Sequence, residues 1–198
     1  MPPGALSPPP AEKRVMTADE FWDFVHLEEN EDRDFELIRG EVVEMSRPNR
    51  KHGLICTRIS RLLDQWAGSV QKGYVASNDS GVILEYDPDT VTGPDVAYYT
   101  DAESIEEVPE KWGEVAPVLA VEVLSPNDRP GHVNAKIDSY LESGSQLVWI
   151  VDPEQKSVVI HRPGRKPETL SENEVLDGGL ILQGFYCPVS DLFSIRKS

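Results

Sequence analysis

The 198-residue chain carries 19 Lys and Arg residues against 35 Asp and Glu residues, which gives a formal net charge of −16. This acidic excess argues against a protein that coats nucleic acid non-specifically, because phosphate binding needs clustered Lys and Arg. It does not exclude a nucleic-acid enzyme, whose metal site must itself be acidic. With 39% hydrophobic residues, the chain is expected to fold as one globular domain.

Targeting signals and metal-binding cysteine motifs are missing from the sequence. No run approaches the ~18 uncharged apolar residues of a membrane span, and the proline-rich start lacks the apolar core of a signal peptide. Cys56 and Cys187 lie far apart and in no metal-binding spacing, and the four histidines form no zinc motif such as HExxH. We therefore expect a cytoplasmic protein with two reduced thiols and no membrane association.

The N-terminal segment has the composition of a disordered leader. Residues 1–15 hold five prolines within the first ten positions and no hydrophobic period, so we assign 16–198 to the single folded domain. Order is expected to begin at Thr17, because Thr17 and Glu20 have the spacing of a capping box. They predict a short amphipathic helix that runs to about Leu27.

A hairpin and a long helix are predicted next. Residues 35–38 and 41–45 are β-prone, and Arg39-Gly40 between them indicates a tight turn. Apolar residues then recur at helical spacing over 50–67, which predicts a long amphipathic helix ended by Gly68.

The remaining elements indicate an α/β (α+β) fold. Short strands are predicted at 74–77, 82–86 and 95–99, a loop with a helical turn at 100–116, buried strands at 118–124 and 147–151, and a strand at 157–161. A second helix over about 133–144 separates the two buried strands. Strands interleaved with two long helices predict a mixed central sheet flanked by helices.

Two acidic residues stand out in this pattern. Glu122 lies inside the apolar run 118–124, and a buried carboxylate without a partner costs several kcal/mol or becomes neutral. Glu122 therefore lies either in a structural ion pair or in a functional site, and both interpretations stay open. Asp95 follows Pro94 near the start of a strand, where it is either a turn residue or a second carboxylate facing Glu122. Together the two carboxylates could hold a hard divalent cation, within about 6 Å of each other on one face of the sheet.

Lys136 follows Glu122 by 14 residues and lies in the predicted second helix. It is three residues from Val133 and four from Tyr140, so it borders the buried stripe of that helix. Its ammonium either extends into water or reaches the pocket of Glu122.

These residues resemble those of a known nuclease group. Asp95, Glu122 and a lysine resemble the PD-(D/E)XK constellation of restriction-endonuclease-like nucleases. Over about residues 16–193, the ordered motifs are more closely similar to the Uma-type family of candidate bacterial restriction endonucleases. The likeness is carried by FELIRGE at 35–41, His52, PDV at 94–96, EVLSP at 122–126, Lys136 and WIVDP at 149–153.

The resemblance implies a restriction-endonuclease-like core and metal-assisted phosphodiester hydrolysis. Asp95, Glu122 and the backbone carbonyl of Val123 would hold Mg²⁺, with Mn²⁺ as a substitute. Lys136 would orient the attacking water and offset charge on the phosphoryl oxygens, and Glu36 would be a further catalytic carboxylate. From the residues alone, Glu36 is equally well an exposed strand glutamate. The implied partners are a DNA substrate and a second copy of the chain in a homodimer.

Two departures distinguish this chain from the usual pattern. Leu124 stands where Glu-X-Lys places its lysine, so the resemblance implies that the lysine has migrated to Lys136. His132 stands four residues before that lysine, where Uma-type members usually carry an acidic residue. We consider His52 and His132 as accessory site residues.

Three functions remain open from the sequence. The first is an Mg²⁺-dependent DNA endonuclease, which the set of Asp95, Glu122 and Lys136 favours. The second is a catalytically silent binding module of the same fold, which the net charge of −16 favours. The third is a hydrolase of RNA or of smaller phosphodiesters.

Overall fold

A computed structural model describes residues 15–126 and 128–195. Apart from Val15, the predicted leader therefore lies outside the described residues. The helices are α1 (Ala18–Val25), α2 (Arg50–Val70), α3 (Pro130–Glu142) and α4 (Val189–Phe193), with 3-10 turns at Glu28–Asn30 and Ile105–Glu107. The strands are β1 (Asp34–Ile38), β2 (Glu41–Met45), β3 (Tyr74–Ser77), β4 (Val82–Glu85), β5 (Thr90–Thr92), β6 (Val96–Tyr99), β7 (Leu119–Val123), β8 (Leu147–Asp152), β9 (Ser157–His161), β10 (Glu168–Leu170), β11 (Val175–Asp177) and β12 (Tyr186–Pro188).

The first helix begins as the sequence predicts. The Thr17 hydroxyl accepts from the Glu20 N–H at 3.3 Å, and the Glu20 carboxylate accepts from the Thr17 N–H at 3.1 Å. This reciprocal capping box satisfies two of the backbone donors that a helix start leaves without partners. The helix ends at Val25, two residues earlier than expected.

A small antiparallel sheet follows, with strand order β2-β1-β5-β4. The predicted hairpin is confirmed, and its turn residues Arg39 and Gly40 have φ values of 50° and 75°. Two consecutive positive φ values are typical of the type I′ turn that matches strand twist. The strand β5 was not predicted, because three residues are too short to show a period in the sequence.

The larger sheet has six strands in the order β10-β9-β8-β7-β6-β3. The strands β7 and β8 run parallel, joined by α3 as the crossover, and the other pairs in this sheet are antiparallel. Alternate residues of β7 pack on the two faces, Val121 in the core cluster that includes Ile59 of α2 and Ala120 in the cluster that includes Ile137 of α3. The predicted mixed central sheet covered on both faces is confirmed.

The predicted end of the long helix is wrong. The helix α2 continues through Gly68 to Val70, and the left-handed residue that ends it is Gln71, with φ 52° and its N–H bonded to the Ala67 carbonyl. A glycine inside a helix costs only about 0.5–1 kcal/mol, which the buried stripe of this 21-residue helix offsets. Within the described residues, no helix combines the length and apolar character needed to cross a membrane.

Candidate active site

The strands β6 and β7 bring Asp95 and Glu122 to one edge of the large sheet. Val96 lies opposite Val121, so one further step in the same antiparallel register places Asp95 opposite Glu122. Residues opposite each other project from the same face of a sheet. The Val123 N–H donates to Asp95 Oδ2 at 2.6 Å, which fixes this carboxylate at the end of β7. Val123 therefore follows Glu122 directly in β7 and contacts Asp95 through its backbone.

Lys136 of α3 lies between two glutamates. Its Nζ is 2.8 Å from Glu122 Oε1 and 2.9 Å from Glu36 Oε1. The three side chains are 16%, 13% and 10% exposed, respectively. Lys136 therefore reaches the pocket of Glu122 and does not extend into water. Burial lowers the pKa of Lys136, but the charges of the two glutamates raise it above its ordinary value overall, so the side chain stays charged.

Glu36 comes from the small sheet, so the site lies where the two sheets meet. Glu36 is buried in β1, and the Thr92 hydroxyl of β5 donates to its Oε1. The alternative of an exposed strand glutamate is therefore wrong. Glu36 and Lys136 are 100 positions apart in the chain, and their contact depends on how the two sheets pack.

Tyr140 is a further site residue that the sequence reasoning missed as such. Its hydroxyl donates to Glu122 Oε1 at 2.8 Å from the interior of the protein. The signal was available, because Tyr140 is one helical turn after Lys136 and therefore on the same face of α3.

The two candidate histidines have different environments. His52, near the start of α2, is buried and its Nε2 lies 3.2 Å from Asp95 Oδ1. Burial alone lowers the pKa of His52, but its contacts with Asp95 and Cys56 raise that pKa to about 10. His132 is exposed at the start of α3, and its side chain has no hydrogen bond or ion pair with any described residue. The structure thus brings His52 into the site and leaves His132 outside it.

Asp79 is an unpredicted acidic neighbour of the site. Desolvation of its carboxyl and the charge of Asp95 raise the pKa of Asp79 to about 6, and Lys136 and His52 oppose this shift. Its loop, between β3 and β4, packs against Gly93, where a Cβ would lie 2.1 Å from the Asp79 carbonyl oxygen. Gly93 therefore allows the loop to approach the segment that carries Asp95. No motif in the sequence singled out Asp79.

The site holds more acidic than basic side chains. Its carboxylates are Glu36, Asp79, Asp95 and Glu122, and its cations are Lys136 and His52. Burial raises the pKa of Glu122 to about 8, and the charges of Asp95 and Glu36 add to this effect against that of Lys136. Asp79 is exposed, whereas the side chains of Glu36, Asp95 and Glu122 are almost fully covered. Such a concentration of carboxylate oxygen fits a hard divalent cation, which would relieve the repulsion.

Comparison with known proteins identifies the family. A family model described as "Putative restriction endonuclease" matches residues 21–190. The chain belongs to the Uma2 family. The Uma-type resemblance seen in the motifs is thereby confirmed, and Uma2 membership supports a nuclease as the general class.

A solved structure shares the fold of this chain. The chain is similar to the crystal structure of a "putative nuclease belonging to DUF820" from Anabaena variabilis, with a TM-score of 0.76 and 21% sequence identity. The likeness covers 90% of this chain and 97% of that chain, and it supports the predicted fold class. No curated protein matches the chain.

Proposed function

We propose that this Uma2 protein is an Mg²⁺-dependent endonuclease that hydrolyses phosphodiester bonds of DNA. The observation that carries the proposal is the position of Lys136. Its ammonium is held between two buried glutamates, and the pocket of Glu122 also adjoins Asp95. A PD-(D/E)XK site requires a lysine and two carboxylates at neighbouring strand ends. This site has these groups, although its lysine comes from α3 rather than from the strand.

The carboxylates suit the cation that this chemistry needs. Asp95 and Glu122, with the Val123 carbonyl, would hold Mg²⁺ or Mn²⁺, and the excess of acidic over basic side chains in the site supports this assignment. When bound, the ion supplies Lewis-acid polarisation of the scissile phosphate.

The side chains of the protein perform the remaining tasks. Lys136 orients the attacking water and offsets the negative charge that develops on the phosphoryl oxygens. Glu36 anchors the lysine from the side opposite Glu122. Tyr140 and His52 act as positioning residues, because each holds one of the two metal-binding carboxylates by a direct contact.

The decisive experiment is cleavage of a DNA panel with Mg²⁺ and with EDTA. We expect cleavage that needs the metal and is lost in Glu122→Ala. The matched control is Glu172→Ala, which removes a glutamate whose lysine contact lies at the surface, with the two side chains 40% and 51% exposed. Cleavage that survives EDTA, or equal activity of the two variants, would contradict the proposal.

The catalytically silent module is the second candidate, because Lys136 is already neutralised by two carboxylates. A silent module predicts no turnover of any substrate although the protein is folded. Including RNA and a small chromogenic phosphodiester in the panel tests the third candidate. Comparing nicked with linear plasmid products as protein concentration rises tests whether two copies act together.

A further inference from the structure

Cys56 has no part in the proposed mechanism, yet it lies next to the site. His52 and Cys56 are one turn apart on α2, so their side chains project from the same face of the helix. The Cys56 sulfur is 3.4 Å from His52 Nδ1, and one ligand atom from each of His52, Cys56 and Asp95 lies within 4.8 Å of the other two. The three side chains are buried or half-buried. No zinc motif in the sequence indicates this group, because Asp95 joins it only through the fold.

We propose that His52, Cys56 and Asp95 form a binding site for a transition-metal ion of the Zn²⁺ class. A thiolate, an imidazole and a carboxylate are the ligands that Zn²⁺ takes, whereas Mg²⁺ avoids sulfur. Two tetrahedral ligands with bonds of about 2.3 Å to sulfur and 2.0–2.1 Å to nitrogen are separated by about 3.5 Å. The observed separation of 3.4 Å between the sulfur and Nδ1 matches this value. Asp95 Oδ1 lies 3.2 Å from Nε2 of the same ring, so the imidazole ring must turn for one nitrogen to face both other ligands. On binding, the Cys56 thiol and the His52 imidazolium each release a proton to solvent as the sulfur–metal and nitrogen–metal bonds form.

Metal binding at this site does not depend on the proposed function. Its expected effect on activity rests on the proposed function. Asp95 is shared between the two sites, so it cannot serve Zn²⁺ and Mg²⁺ in full at the same time. Occupation by Zn²⁺ is therefore expected to inhibit Mg²⁺-dependent cleavage.

Binding is tested with Co²⁺, which replaces Zn²⁺ and reports on its ligands by absorption. The wild-type protein should show a thiolate-to-Co²⁺ charge-transfer band that Zn²⁺ displaces. Cys56→Ser should lose this band, whereas the matched control Cys187→Ser should keep it. By calorimetry, the Zn²⁺ affinity of Cys56→Ser should fall by more than the roughly 10–100-fold typical of outer ligand partners. Circular dichroism verifies that each variant is folded, and Cys56→Ala replaces Cys56→Ser if the serine variant is not.

Three outcomes would overturn the proposed site. The wild type could show no charge-transfer band, the folded Cys56 variant could keep the band, or Cys187→Ser could lose it. The activity measurement separates this inference from the proposed function. Micromolar Zn²⁺ should inhibit wild-type cleavage and inhibit Cys56→Ser less, with equal cleavage by both proteins in Mg²⁺ alone. If the band depends on Cys56 but no DNA is cut, the Zn²⁺ site stands and the nuclease proposal fails. If DNA is cut and no band appears, the nuclease proposal stands and the Zn²⁺ site fails.

Discussion

Removing the ammonium of Lys136 tests the centre of the site most directly. In Lys136→Ala, the carboxylates of Glu36 and Glu122 remain buried without the cation that lies 2.8–2.9 Å from them. Their mutual repulsion is then uncompensated, so their pKa values should rise. The change affects both stability and chemistry, and the two effects are measured separately.

The expected loss of stability follows from burial. Removing one partner of a buried ion pair costs about 3–5 kcal/mol, because the remaining charge is left without compensation. For a domain of 150–250 residues, about 2–4 °C in Tm correspond to 1 kcal/mol, so Tm in EDTA should fall by roughly 6–20 °C. Adding Mg²⁺ should recover part of this loss, because the bound cation would compensate Glu122, one of these two carboxylates.

Lys156→Ala is the matched control, since it removes a lysine of the exposed pair with Glu172. An exposed pair contributes about 0–1 kcal/mol, so Tm should fall by less than about 4 °C. Equal losses in the two lysine variants, measured by thermal unfolding in EDTA, would refute the argument from burial.

The catalytic part of the prediction is measured at a temperature where both variants are folded. Lys136→Ala should abolish cleavage and leave Mg²⁺ binding by calorimetry largely intact, since lysine is not a metal ligand. Lys136→Arg should rescue cleavage only partly, because the guanidinium is larger and forked. Wild-type cleavage by Lys136→Ala would show that another group acts on the water.

Three further predictions concern the surroundings of the site. Because the pKa of Asp79 rises from 3.8 to about 6 on folding, its ionised carboxylate destabilises the metal-free protein above pH 6. Asp79→Asn should therefore have a higher Tm than wild type at pH 8. This difference in Tm should shrink as the pH falls through 6 towards 4. Tyr140→Phe removes the donor to Glu122 and should lower the free energy of unfolding by about 1.5–3 kcal/mol in urea titrations. An unchanged urea midpoint would contradict the role of this hydrogen bond. Gly93→Ala places a Cβ 2.1 Å from a backbone oxygen and should lower the free energy of unfolding by at least about 1–3 kcal/mol. The control Gly131→Ala, whose Cβ meets nothing within 4 Å in α3, should raise it by up to about 1 kcal/mol. Urea titrations compare the two variants.

Much of the fold could be predicted from the sequence, because local rules govern it. The capping box at Thr17, the turn at Arg39-Gly40 and the alternation of apolar residues depend on neighbours within a few positions. The apolar run around Glu122 indicated a central strand and a buried carboxylate that needed a partner. The motif order then identified the family, although no single motif was specific.

The composition of the site was decided by the tertiary structure. Glu36 reaches Lys136 across 100 positions, and the loop of Asp79 approaches the segment of Asp95 because Gly93 leaves room for it. Such contacts depend on the packing of two sheets and two helices, which no local pattern encodes. His52 and His132 illustrate the difference, since both are polar residues near a helix start and only the first is buried beside a carboxylate. The sequence alone therefore determines most of the elements and the family they belong to, whereas packing determines which charges share one pocket.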